Sequence, residues 1–172
     1  MKDKAQDLFE PKSLYRIFNK TDLPQRECFV EARKVALAVV TIGEKLPLEV
    51  NNLMESGEYV DGVILDAIGS AGVEVIADLV NNEINEEVKS QHLEYSKRYS
   101  PGYCHWNVKD QEIIFGLLPT EEIEVFLTDA YMMTPIKSVS FVINIGNDIG
   151  NSMWENRCKS CEDRGQCTYR MT

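Results

Sequence analysis

The chain has 172 residues, a length that suits one domain with its own core, and 44% of them are apolar, as in an ordinary soluble protein. Its formal net charge of -10 at pH 7 repels phosphate backbones and anionic headgroups, which argues against nucleic acid and membrane surfaces as partners. No apolar run reaches the ~18–20 residues that cross a bilayer, and Met1 to Glu10 alternates charges without the apolar stretch of a secretory signal, so the cytoplasm is the expected compartment.

In chain order, residues 1–12 are polar and read as a lead-in. Ser13 to Phe18 alternates apolar and polar and predicts a short strand. Thr21-Asp22-Leu23-Pro24 is turn chemistry that suits the start of a short helix. Lys34 to Ile42 is continuously apolar and rich in β-branched residues, as a strand buried on both faces would be. Gly43 ends it, and Pro47 stands where the first turn of a helix tolerates proline.

The longest predicted element runs from Tyr59 to about Glu94. Its helical spacing is carried by Val60, Val63, Ile64, Ala67, Ile68, Ala71, Val75, Leu79, Ile84 and Val88. Gly69-Ser70-Ala71-Gly72 supplies small residues in mid-helix, which suits close packing or a break into two helices. Tyr95 to Asn107 is a predicted loop, Lys109 to Leu118 a helix, and Glu121 to Thr128 a strand. Asp129 to Lys137 is a connection, and Ser138 to Ile145 a strand ended by Gly146. This alternation predicts an α+β fold, a small, mostly antiparallel, twisted sheet packed with long helices. We expect one domain over residues 1–150 and a cysteine-containing tail over 151–172.

Two segments carry chemistry. The first is Arg98-Tyr99-Ser100-Pro101-Gly102-Tyr103. An arginine leaving a helix projects a planar fork that matches a carboxylate, and Gly102 after Pro101 permits a positive φ and a close approach of ligand to backbone. Tyr103 adds a ring face that suits a cationic centre. On local chemistry alone, a plain helix-ending turn explains the segment as well. The second is Cys158-Lys159-Ser160-Cys161 with Cys167, three of the five cysteines within ten residues. A C-x-x-C turn with a third thiolate nearby suits a metal, and free thiols are the alternative. Cys104, His105 and Cys28 are candidate fourth ligands. Zinc and an iron–sulfur cluster both suit the pattern.

Lesser signals are open to bland readings. His92 reads as a surface histidine near a helix end. His105-Trp106 either shapes a pocket or packs. Tyr131-Met132-Met133 either offers an adaptable apolar surface or belongs to the core, with the core favoured. No P-loop, G-x-G-x-x-G or H-E-x-x-H is present.

The pattern R-x-x-x-G-Y over Arg98 to Tyr103 resembles the S-adenosylmethionine motif of the activation domain of cobalamin-dependent methionine synthase. Flanking blocks agree in order and spacing. Ala77-Asp78 and Asn85-Glu86-Glu87-Val88 precede it, where the family has Ala-Glu and His-Glu-Arg-Val. Leu127-Thr128-Asp129-Ala130-Tyr131-Met132-Met133-Thr134-Pro135 and Ser138-Val139-Ser140 follow it. The resemblance covers roughly Val35 to Gly146 and is closest to short, free-standing forms of the domain. It implies that Arg98 holds the carboxylate of S-adenosylmethionine, with Ser100, Gly102 and Tyr103 lining the site. Asp78, one methylene shorter than the family glutamate, would stand near the amino group. It further implies a subunit that supports reductive remethylation of cobalamin carried by a separate methionine synthase, with flavodoxin or ferredoxin as electron donor. The loop would then be one wall of a site completed by a partner or by the tail. An iron–sulfur redox activator, or a binding module for another corrinoid methyltransferase, is the alternative.

Overall fold

A computed structural model describes residues 2–26, 29, 32–103, 106–147, 149 and 165. The elements are α1 (Lys2–Leu8), β1 (Lys12–Asn19), β2 (Lys34–Thr41), α2 (Lys45–Glu55), α3 (Tyr59–Ser90), β3 (Glu94–Tyr95), α4 (Gln111–Leu117), β4 (Phe126–Leu127), β5 (Met133–Thr134) and β6 (Ser138–Gly146). β1, β2, β6 and β3 form an antiparallel sheet in that order, and β4 pairs with β5 in a separate two-stranded ribbon. The predicted α+β class is the one found. No described helix is long and apolar enough to cross a membrane.

β2 shows why the sheet lies at the centre. Every residue from Val35 to Thr41 is buried. Because side chains alternate across a strand, Ala36, Ala38 and Val40 join one core, and Val35, Leu37 and Val39 join another. The first core is closed by α1, α2 and α3. The second is closed by Phe29, Trp106, Ile114, Leu118, Ile123 and Val125. A strand flanked by two strands and covered on both faces requires the continuous apolar run that its sequence carries.

α3 is one unbroken helix of 32 residues, about 48 Å long at 1.5 Å per residue. The small residues at its middle serve close packing. A Cβ added at Gly69 would come within 2.5 Å of Leu46 Cδ2, and one at Gly72 within 2.4 Å of Phe9 Cζ. The buried stripe, however, differs from the predicted one. Gly62, Leu65, Gly69, Val73, Ala77 and Val80 are buried, continuing to Ile84 and Val88. Val60, Val63, Ile64, Val75 and Leu79 are exposed. The helix carries apolar residues on both faces, so periodicity alone does not say which face is covered.

The helix stops at Ser90, four residues before the expected end. His92 takes φ 56, its N–H donates to the Lys89 carbonyl at 2.9 Å, and the Leu93 N–H reaches the Val88 carbonyl at 3.3 Å. This pair of bonds around a left-handed residue closes a helix C-terminus, and Leu93 packs back on the core beside it. Glycine usually fills that left-handed position, so the stop was hidden by a histidine. His92 is exposed at the helix end, as expected. A glycine does the same task at the end of α2. Gly57 has φ 84, and Glu58 N–H bonds to the Leu53 carbonyl at 2.8 Å.

Other boundaries also moved. Thr21 and Asp22 lie in a single 3-10 turn, Lys20–Asp22, rather than at the start of a helix. The strand expected over Glu121 to Thr128 shrinks to Phe126–Leu127, because Thr120–Ile123 forms a 3-10 turn and Glu124 takes φ 59. Alternation there places Ile123 and Val125 in the second core without a ladder. β1, β2, α4 and β6 lie within two residues of their predicted bounds.

Candidate functional site

The segment after α3 runs along the free edge of β6. Glu94 and Tyr95 pair with Gly146 and Ile145, and Tyr99 exchanges both backbone bonds with Val142, at 3.1 and 2.8 Å. Arg98 therefore sits on extended chain at a sheet edge, eight residues past the helix, not at a helix exit as its sequence position suggested. Alternation sends neighbouring side chains to opposite faces. Tyr99 turns to the second core and meets the Trp106 ring at 5.4 Å. Arg98 turns to the α3 side, its guanidinium 5.8 Å from the Phe141 ring centroid.

On that side the fork meets two carboxylates. Arg98 Nη2 donates to Glu74 Oε2 at 2.6 Å and to Asp78 Oδ1 at 3.0 Å. Glu74 and Asp78 are one helical turn apart, so their side chains leave the same face of α3. The arginine side chain is 25% exposed and the two acids are more than half exposed, so the cluster opens to solvent. Arg98 and Asp78, paired only by resemblance before, are in contact. Glu74 was missed. The available signal was its place four residues before Asp78, on the same helix face.

The turn beyond Arg98 has the geometry expected of Pro-Gly. Tyr103 N–H donates to the Ser100 carbonyl at 3.3 Å, and Gly102 has φ 93. Proline in the second place and a positive φ in the third define a type II turn. Gly102 N–H is tied to the Trp106 carbonyl at 2.8 Å, and Trp106 Nε1 donates to Asp110 at 2.8 Å. Trp106 is thus a buried anchor for the turn. Pro101 is buried, Ser100 half-buried, and the Tyr103 side chain 55% exposed.

A second ion pair ties α3 to the start of β6. Lys137 Nζ meets Asp66 at 2.7 Å and Ser70 Oγ at 2.8 Å, and the lysine side chain is nearly buried. Further along the helix, Asn81 and Asn85 each bury an amide oxygen that takes no hydrogen bond. Of the methionine pair, Met133 packs on the second core as favoured, whereas Met132 is exposed.

The proposed metal ligands Cys104, Cys158, Cys161 and Cys167 lie outside the described residues, as do Cys28 and His105. Among the described residues no group of three or more His, Cys, Asp or Glu is placed to hold a metal ion.

Residues 31–148 match the model of a family described as vitamin B12 dependent methionine synthase, activation domain. A solved structure described as "Crystal Structure of the MetH Reactivation Domain bound to AdoHcy" is similar in fold, with a TM-score of 0.66 at 15% identity. The match covers 85% of this chain and 62% of that one, so the chain spans under two thirds of that structure's length. No curated protein sequence matches the chain.

Proposed function

Since this chain belongs to the family of the vitamin B12 dependent methionine synthase activation domain, we propose that it binds S-adenosylmethionine and supports the reductive remethylation of cobalamin held by another protein. The observation that carries this reading is the position of Arg98, on a rigid sheet edge beside Glu74 and Asp78 and directly before the Ser100–Tyr103 turn. A methionine head group presents one carboxylate and one ammonium, and this cluster presents one guanidinium and two carboxylates. Opposite charges meet on both counts.

Arg98 takes the ligand carboxylate. The acids on α3 take the ammonium. Gly102, with no Cβ, lets the ligand approach the turn, and the exposed Tyr103 ring stands beside the same path. Cobalamin held by the partner would supply the methyl-accepting centre, with S-adenosylmethionine as methyl donor leaving as S-adenosylhomocysteine and a flavodoxin or ferredoxin as the source of one electron. This chain binds and orients the methyl donor. Its partner is a cobalamin-carrying methionine synthase or a related corrinoid methyltransferase.

Calorimetric titration with S-adenosylmethionine tests the reading. The wild type should release binding heat, and Arg98→Ala should weaken the affinity about 10–100-fold, the usual cost of losing a charge-assisted pair. Absence of heat from the wild type, alone and with a cobalamin-loaded partner, would overturn it.

A further inference from the structure

The bonds of Arg98 set a condition on any carboxylate that it captures bidentately. Nη2 carries two N–H groups, and both are taken, one by Glu74 and one by Asp78. A guanidinium grips a carboxylate bidentately either through Nη1 with Nη2 or through Nε with Nη2. Both grips require an Nη2 hydrogen. A ligand carboxylate gripped bidentately must therefore displace one of the two acids.

We propose that Glu74 is that acid, and that its displacement makes the site select zwitterionic amino-acid head groups over simple carboxylates. This inference rests on the reading that the site binds S-adenosylmethionine. When the ligand carboxylate takes the Nη2 hydrogen that Glu74 held, Asp78 keeps its bond to Arg98 and Glu74 is left without a cation. Glu74 and Asp78 are like charges one turn apart on α3, an unfavourable arrangement once Arg98 no longer bridges them. The ligand ammonium relieves it by taking the place that the guanidinium left. Charge is conserved by the exchange, carboxylate for carboxylate on Arg98 and ammonium for guanidinium on Glu74. A ligand with a carboxylate and no amine leaves Glu74 without a cation and binds more weakly. Glu74 is suited to the swing because its side chain is longer than that of Asp78 by one methylene and can leave Arg98 while staying on the same helix face.

The test compares S-adenosylhomocysteine with its counterpart lacking the α-amino group, by calorimetry, on the wild type, Glu74→Gln and Asp78→Asn. We expect the wild type to prefer the zwitterion by about tenfold, the scale of one half-exposed charge-assisted bond. Glu74→Gln should shrink that preference to about twofold, chiefly by tightening the amine-free ligand, since Arg98 is then released more readily. General structural damage would weaken both ligands together and leave the ratio unchanged. An unchanged preference in Glu74→Gln, with its loss in Asp78→Asn, would overturn the role of Glu74 and assign the exchange to Asp78. Failure of the wild type to bind either compound would overturn the underlying ligand reading and this inference with it.

Discussion

The two faces of α3 are both apolar in composition, yet they serve different ends. The packed face includes small residues, with Gly62, Gly69 and Ala77 between Leu65, Val73 and Val80, and its glycines let α2 approach closely through Met54 and Leu46. The opposite face carries the larger Val60, Val63, Ile64, Val75 and Leu79 in the open. Glu74 and Asp78 flank this open face and reach Arg98. Gly62, Gly69 and Ala77 let neighbouring elements close on the packed side, where close-packed interiors register single methyl groups.

Truncation on each face gives the largest contrast. Leu65 is fully buried, so Leu65→Ala should cost about 2–5 kcal/mol in urea unfolding. Leu79 is 60% exposed, and Leu79→Ala should change stability by less than about 0.5 kcal/mol. Comparable losses at the two sites would break the distinction between the faces.

Glycine substitutions sharpen it. At Gly69 an added methyl meets the fully buried Leu46 at 2.5 Å, so Gly69→Ala should lose about 1 kcal/mol net, overpacking outweighing the gain in helix propensity. Gly116 lies in α4 with nothing within 4 Å of an added Cβ, and Gly116→Ala should gain roughly 0.5–1 kcal/mol. Opposite signs in thermal melts are the expected result.

The smallest effect concerns the last third of α3. There Tyr15 of β1 donates toward Glu83 and Glu87, each at 3.2 Å. Burial, with the charge of Glu83 and then the bonds and charge of Glu87 behind it, pushes the Tyr15 hydroxyl up to about 12. The folded pKa lies above the unfolded value near 10, so this stabilisation is complete below pH 10. It is lost as pH rises through about 12, because the unfolded chain ionises first. Ultraviolet titration should show a late transition for Tyr15, and Glu83→Gln should bring it down toward 10. A transition that stays in place would mean burial alone sets it.

Much of the architecture was legible because local and tertiary demands coincide. Lys34 to Ile42 and Ser138 to Ile145 are the two central strands, and their runs of β-branched residues admit little else. The turn at Pro101-Gly102 followed from backbone sterics, and the blocks around Arg98 pointed to the family that residues 31–148 match. Where a boundary depended on a residue in an unusual conformation, the sequence misled. His92 and Glu124 hold left-handed positions that glycine more often fills, so the end of α3 and the start of β4 were misplaced.

The sequence by itself therefore determined the long helix, the central strands and the candidate loop, since these depend on period, propensity and turn chemistry along the chain, whereas α1 lies in a stretch read as a polar lead-in. Only the tertiary structure decided which face of α3 is buried and what Arg98 touches. The first depends on how α2 and the sheet pack on α3, and the second on where the 94–103 segment is laid against β6. That docking brings residues 20 and 24 positions apart within hydrogen-bonding distance, a relation that no local pattern encodes.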